Sequence, residues 1–249
     1  MRSIFNDAFA VVDAHMLRVW TGPVAKRRVD EPSFAAEHGG EPAAVLAGAL
    51  ATLPKAHPSF RNRLQVLFAH PWAHAVVLPW QRGLWTEAAW QAYARALFEA
   101  RAIRLPLTIR VDYARFGRAR LAFALRHDIL GACMDASRAA GWQVVSCRDV
   151  LSAALQMNLP SMRERDFRFA LLQPGVVTCL FRRDGEWTDV VSLPYRAGQR
   201  IEDLIGAAAL MSGQPPTKLN YAAALDVTGS SDAGEGVVWL GPSLAGAFA

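Results

Sequence analysis

Residues 169–195 read FALLQPGVVTCLFRRDGEWTDVVSLPY. Apolar runs at 170–172, 176–181 and 190–193 are separated by Gln173-Pro174-Gly175 and by Arg182-Arg183-Asp184-Gly185. Short apolar segments bounded by Pro-Gly and Asp-Gly turns predict three consecutive strands. A strand, a glycine turn and a returning strand can grip phosphate through backbone N–H groups. The same hairpin can equally be scaffold.

Working outward, the start of the chain has the same look. Phe9–Asp13 reads as a strand, Ala14-His15 as a turn, and Met16–Trp20 alternates as a returning strand. An edge strand is expected near Lys26–Val29. Pro42 suits a helix start, and Ala43–Leu53 is rich in helix formers up to Pro54. Leu64–Ala69 and Ala75–Leu78 are apolar strand candidates. Thr86 can cap a helix from Glu87 to about Ala100, with Trp90, Tyr93, Ala94, Leu97 and Phe98 on one face. Strands follow at Leu107–Val111 and Arg120–Leu125, the latter alternating Leu121, Phe123 and Leu125 with alanines. A helix over Asp128–Ala140 turns Ile129, Leu130, Cys133 and Met134 inward. A short strand at Trp142–Ser146 and a helix at Asp149–Met157 complete the first group. Beyond the opening triplet come a helix at about Gln199–Met211, an extended Lys218–Val227, a loop at Thr228–Gly236, a strand at Val237–Leu240 and a last helical turn at Pro242–Ala249. Two successive groups therefore each open with a strand meander and continue into helix and strand. The class is α/β. The division is 1–158 with an inserted subdomain at about 70–125, then 166–249, joined by the polar stretch Met157–Asp166.

Composition limits the functions available. Of 249 residues, 52% are hydrophobic and 20% charged, a globular balance with a net charge of +5. Only Lys26, Lys55 and Lys218 are lysines, and no basic run of five occurs, which argues against nucleic-acid binding. The N-terminus lacks an apolar signal core, and no apolar run approaches the length of a membrane span. A cytoplasmic protein is the expectation. Cys133, Cys147 and Cys179 show no metal spacing and read as buried thiols. His70 and His74 are four apart, but Pro71 denies them a shared helical face. No metal site is expected. His127-Asp128 opens a helix, where Asp128 suits the N-terminus. Asp13, Asp112, Asp128 and Asp149 could form a carboxylate cluster only if folding brings them together.

Several stretches resemble the PilM-like and GspL-like cytoplasmic proteins of type IV pilus and type II secretion assembly, within the actin-like ATPase superfold. They are FAVVDAHMLRVW (9–20), VLFAHPWAHAVVLPW (66–80), RLAFALRHDILGACMDASRAAGWQVVSCRDVLSAAL (120–155) and the hairpins of 169–195. Leu78-Pro79-Trp80, the strand Gly141–Ser146, Pro174-Gly175 and Gly185-Glu186-Trp187 carry it. The resemblance implies a two-lobed actin-like (ribonuclease H-like) fold, here with a shortened second lobe. It also implies nucleotide positions at Asp13, Gly175 and Gly241. The turn after Asp13 has no glycine, the second lobe's acidic position falls at Gln173, and the last turn is a single Gly241-Pro242. The implied role is thus a non-catalytic scaffold with no cofactor, docked at the inner membrane only indirectly. It would bind the cytoplasmic tail of a single-span membrane assembly protein. ATP with magnesium at Asp13, Gly175 and Gly241, as an ATPase or switch, is the alternative. Trp80, Arg82, Trp85 and Trp90 are the candidate partner-binding residues, since Trp and Arg are enriched where interfaces bind most strongly.

Overall fold

The computed structural model describes residues 5–22, 31–113, 116–196, 198–215, 219–225 and 236–242. The expected edge strand at Lys26–Val29, most of the Thr228–Gly236 loop and residues 243–249 of the expected last helical turn lie outside them.

The chain folds in the order β1 (Asn6–Val12), β2 (Met16–Thr21), β3 (Phe34–Glu37), α1 (Pro42–Thr52), β4 (Asn62–Phe68), β5 (Ala73–Leu78), α2 (Glu87–Ala100), β6 (Leu107–Val111), β7 (Arg120–Arg126), α3 (His127–Ala139), β8 (Gln143–Asp149) and α4 (Val150–Asn158). It continues through β9 (Phe167–Gln173), β10 (Val176–Arg183), β11 (Glu186–Pro194), α5 (Ile201–Met211), β12 (Asn220–Ala224) and β13 (Val237–Pro242). One five-stranded sheet runs β3-β2-β1-β4-β8, and a second runs β11-β10-β9-β12-β13. In each, three strands meander antiparallel and two more add in parallel beside the first. The two sheets thus repeat one topology, with a three-stranded antiparallel sheet, β5-β7-β6, inserted in the first unit.

Period-two alternation sorts the strand residues. Ala8, Ala10 and Val12 face α1 and α3, packing with Leu46, Leu50 and Cys133. Phe9 and Val11 point the other way, into a core shared with Phe167, Phe169 and Leu171 of β9. Helix α4 lies in that shared core through Val150, Leu151, Ala154 and Leu155. On the outer side of the second sheet, Leu172, Val177 and Cys179 meet Ile201, Leu204 and Ile205 of α5. In the inserted sheet the alanines of β7 are the inner face: Ala122 and Ala124 lie under Trp90, Ala94 and Phe98 of α2. Thr86 caps α2, accepting a hydrogen bond from the Ala89 N–H.

Asp128 stands in the first turn of α3, as expected, and its carboxylate also accepts from the Arg126 guanidinium at 3.2 and 2.5 Å. Two local expectations change. Met134 is exposed, because α3 buries only its narrow Cys133–Ser137 stripe. The 157–166 connection is only partly polar, since Met162 is buried in the shared core. Among the described residues, no helix is long and apolar enough to cross a membrane.

Candidate functional site

Asp13 directly follows β1 and is buried. Its carboxylate closes its own turn: Oδ1 accepts from the His15 and Met16 N–H groups at 2.9 and 2.8 Å. Oδ2 accepts from Arg18 at 2.8 Å. Its backbone carbonyl accepts from Trp72 Nε1 at 2.7 Å and from His38 Nε2 at 3.0 Å. His38 must donate there, because its Nδ1 accepts from the Gly40 N–H. Asp13 is a hub of local hydrogen bonds, with each carboxylate oxygen already engaged by protein donors.

Gly175 stands in the two-residue turn between β9 and β10 at φ +77°, and a Cβ there would meet nothing within 4 Å. The positive φ by itself accounts for glycine at this position. Gly241 has φ +86° at the end of β13. Gln173, before the Pro-Gly turn, joins the two units: its Oε1 accepts from the His70 N–H at 2.9 Å, and its amide donates to Thr178 Oγ1 at 3.3 Å. A cavity of ≈ 330 Å³ opens there, lined among others by His70, His74, Arg101, Gln173, Thr178 and Ser192. Neither Asp13 nor Gly175 lines it. Arg101 donates to the Val190 carbonyl and to Asp189, both at 2.7 Å. Burial lowers the pKa of both histidines, and that of His74 falls to about 4 with help from the His70 and Arg126 charges. Magnesium-ATP fits these groups poorly: both oxygens of Asp13 are engaged by its own turn and by Arg18, and Gln173 is a neutral amide already bonded on both sides. Among the described residues no three His, Cys, Asp or Glu side chains are placed to hold a metal.

The larger concavity, ≈ 540 Å³, lies between the inserted sheet and the first unit. Its floor is the apolar face of β7: Leu121, Phe123 and Leu125, opposite the alanine face that meets α2. Thr108, Arg110 and Asp112 of β6 alternate along one side. Across from them lie Cys147, Arg148 and Asp149, three consecutive residues of β8. Alternate residues line a cavity when a strand shows its face; consecutive ones line it when the strand shows its edge. β8 ends the first sheet's strand order, so among the described residues no further strand pairs to this edge. Leu155 and Leu159 close one end, and Trp187 of β11 reaches in from the second unit. The groove thus offers backbone groups along one wall and an apolar floor beside them.

Asp149 separates the two concavities and lines both. It caps α4, accepting from the Ser152 N–H at 2.7 Å, and burial raises its pKa. Of the four carboxylates considered together, Asp112 and Asp149 share the groove, while Asp13 and Asp128 do not line it. Cys147 is half-buried in the groove, not enclosed, yet burial still pushes its thiol up to about 11.

The four aromatic-patch candidates separate. Trp90 is core, 3% exposed, with the Arg120 guanidinium 4.5 Å from its ring centre. Trp85 is 71% exposed and stacks on Phe116 at 5.7 Å, while Trp80 meets the same ring edge-on. Arg82 is exposed beside them in the chain. Neither the β8 edge nor the clamp at Arg101 was identified from sequence. The Leu121/Phe123/Leu125 alternation was the available signal for the groove floor.

No protein-family model matches the chain. No curated protein matches it either. Solved structures do. The cytoplasmic domain of EpsL, an inner membrane component of the type II secretion system of Vibrio cholerae, aligns with a TM-score of 0.55 at 11% identity, over 96% of this chain and 92% of that one. The PilM-PilN type IV pilus biogenesis complex gives 0.55 at 15%, over 96% and 89%. A Bacteroides thetaiotaomicron protein with an actin-like ATPase fold gives 0.55 at 8%, over 88% and 81%. Identities this low speak for architecture alone. With two sheets of one topology, an inserted subdomain and these neighbours, the chain has the two-lobed actin-like fold, in the form shared by PilM and the EpsL cytoplasmic domain.

Proposed function

We propose that this protein is a non-catalytic scaffold of a type IV pilus or type II secretion-like assembly at the bacterial inner membrane. Its groove holds the extended cytoplasmic tail of a membrane-anchored partner. The observation that carries this reading is the free β8 edge beside the Leu121/Phe123/Leu125 floor. An extended peptide added to an edge gains main-chain hydrogen bonds, and its alternate side chains enter the apolar floor. The likeness to a pilus complex and to the cytoplasmic domain of a secretion component supports the same setting. The engaged carboxylate of Asp13 supports the lack of catalysis.

The test is calorimetric titration with synthetic cytoplasmic tails of single-span membrane proteins encoded beside this chain's gene. Micromolar binding, lost on Leu159→Glu at the groove mouth, is expected; Leu159 is 37% exposed, so the variant should fold. Binding unaffected by that change places the tail elsewhere. ATP hydrolysis above background by the pure protein would overturn the scaffold reading. It would favour a nucleotide-dependent switch at the 330 Å³ cavity between the units.

A further inference from the structure

At one end of the inserted sheet three aromatic rings stand in contact, and none of them lines the groove or the interlobe cavity. Trp80 and Trp85 come from the connection between β5 and α2, and Phe116 from that between β6 and β7. Leu78 pairs with Arg120 and Val111 with Ala122, so both connections leave the sheet at the same end. Trp80 is the root of the cluster, packed with Leu84 against the core under α2. The Phe116 ring meets Trp80 edge-on at 5.4 Å and stacks on Trp85 at 5.7 Å, with those two planes 14° apart. Phe116 is 73% exposed, and Tyr113, three residues before it, is 89% exposed. Side chains exposed to this degree stand proud of the surface, with no pocket wall beside them.

The charges around the rings are mostly spoken for. Arg118 is paired with Glu186. Asp112 accepts from the Tyr113 N–H at 2.9 Å, and Glu87 accepts from the Gln91 amide at 3.2 Å. Arg82 is exposed between the two tryptophans in the chain and forms no ion pair among the described residues. Among those residues the indole N–H groups of Trp80 and Trp85 have no acceptor either. The tip therefore offers apolar rings, two open N–H donors and one positive charge that is not neutralised by a carboxylate.

We propose that this tip inserts into the headgroup layer of a phospholipid bilayer. Trp and Tyr rings favour that layer, where the ring leaves water while its N–H or O–H meets ester and phosphate oxygens. Phe116 and Trp85 supply the apolar area, and Arg82 complements the negative charge of an anionic leaflet. A fluid surface requires no matching shape, which suits rings that protrude from two loops. Burial of the rings drives the contact, and Arg82 adds a preference for anionic lipid. The tip thus gives the chain a direct bilayer contact, separate from the groove and from the tail proposed to lie there.

The test is sedimentation of the full chain with phosphatidylcholine vesicles, with and without phosphatidylglycerol, at low and at high sodium chloride. Both vesicle types should bind, with half-binding at about 1 mM lipid, since a few rings anchor less strongly than an acyl chain. Vesicles containing phosphatidylglycerol should bind about fivefold more tightly at low salt, a preference lost in Arg82→Gln. The double variant Trp85→Ser with Phe116→Ser should weaken binding to both vesicle types by about tenfold or more at either salt. Both positions are exposed, so an unchanged melting temperature is expected to show that this variant folds. Leu159→Glu, in the groove, should bind vesicles as the wild type does, so this test and the tail titration fail separately. Binding to phosphatidylglycerol vesicles alone, abolished by high salt and untouched by the double variant, is charge attraction only and overturns the proposal. No sedimentation with either vesicle overturns it as well. So does a dimer in analytical ultracentrifugation that depends on Trp85 and Phe116 while vesicles leave the chain in solution, since the tip then meets a second copy of the chain.

Discussion

At Asp13 one side chain serves three donors, and replacing it separates the roles. Asp13→Asn keeps an acceptor for the turn but removes the negative charge that Asp13 sets against the Arg18 guanidinium, which is 14% exposed. Removing one member of a buried pair typically costs about 3–5 kcal/mol. A loss of about 3 kcal/mol in urea denaturation is expected, with peptide binding in the groove retained by the folded fraction. His74 gives a second test, in pH. Its pKa falls to about 4 in the folded protein, against 6.5 unfolded. The unfolded chain takes up the proton first, so this contribution to stability is complete above pH 6.5 and is lost as pH falls toward 4. Up to about 3 kcal/mol is at stake. Asp149 acts with the opposite sign, since its raised pKa removes stability as pH rises past the usual carboxylate range. The difference between the wild type and His74→Gln isolates the histidine: the variant should lose less stability between pH 6.5 and 4.5.

Among the elements, β8 is where sequence and structure diverge most usefully. A short strand was legible at Trp142–Ser146, yet the strand runs from Gln143 to Asp149. The missed residues are Cys147, Arg148 and Asp149, the groove's side opposite β6. Their mixed character hides the strand because one side borders a groove rather than a core. Cys147 reports on this edge. A thiol at about 11 leaves roughly one thiolate in a thousand at pH 8. Iodoacetamide should therefore label Cys147 on the order of a hundred times more slowly in the folded protein than in urea, as read by mass spectrometry. Comparable rates would show that the edge opens to solvent. Strand β7, by contrast, was legible to within its last residue, Arg126, because alternation of Leu and Phe with Ala encodes both faces at once. Sequence spacing alone could not show that its larger side chains face a groove.

For the whole molecule, two ion pairs among the described residues tie the inserted subdomain to the second unit. Arg101 binds Asp189 and the Val190 carbonyl, and Arg118 binds Glu186. These pairs are partly exposed, so each contributes at most about 1 kcal/mol to stability. Their effect should appear in motion. Asp189→Ala is expected to leave the melting temperature almost unchanged while speeding hydrogen exchange in 186–191 and at the C-terminal end of α2. Unchanged exchange would mean that the shared apolar core alone sets how the units sit. The second unit carries one helix, α5, on its outer face among the described residues, where the first has α1 and α3. The asymmetry follows from connection length: β4 and β8 are separated by the whole inserted sheet and two helices, β12 and β13 by a short segment.

Local patterning by itself determined the meander-then-helix order of both units, the α/β class and the actin-like resemblance, because alternation, capping and turn residues act over a few neighbours. It also marked glycine-poor turns where phosphate-binding ones were conceivable. Tertiary structure alone decided what those residues do: Asp13 turned inward onto Arg18 and its own turn, Trp90 placed in a core and Trp85 on the surface, and the β8 edge left open. Each of these depends on contacts between segments far apart in the chain, whose pairing is governed by sheet order and packing rather than by the residues beside them.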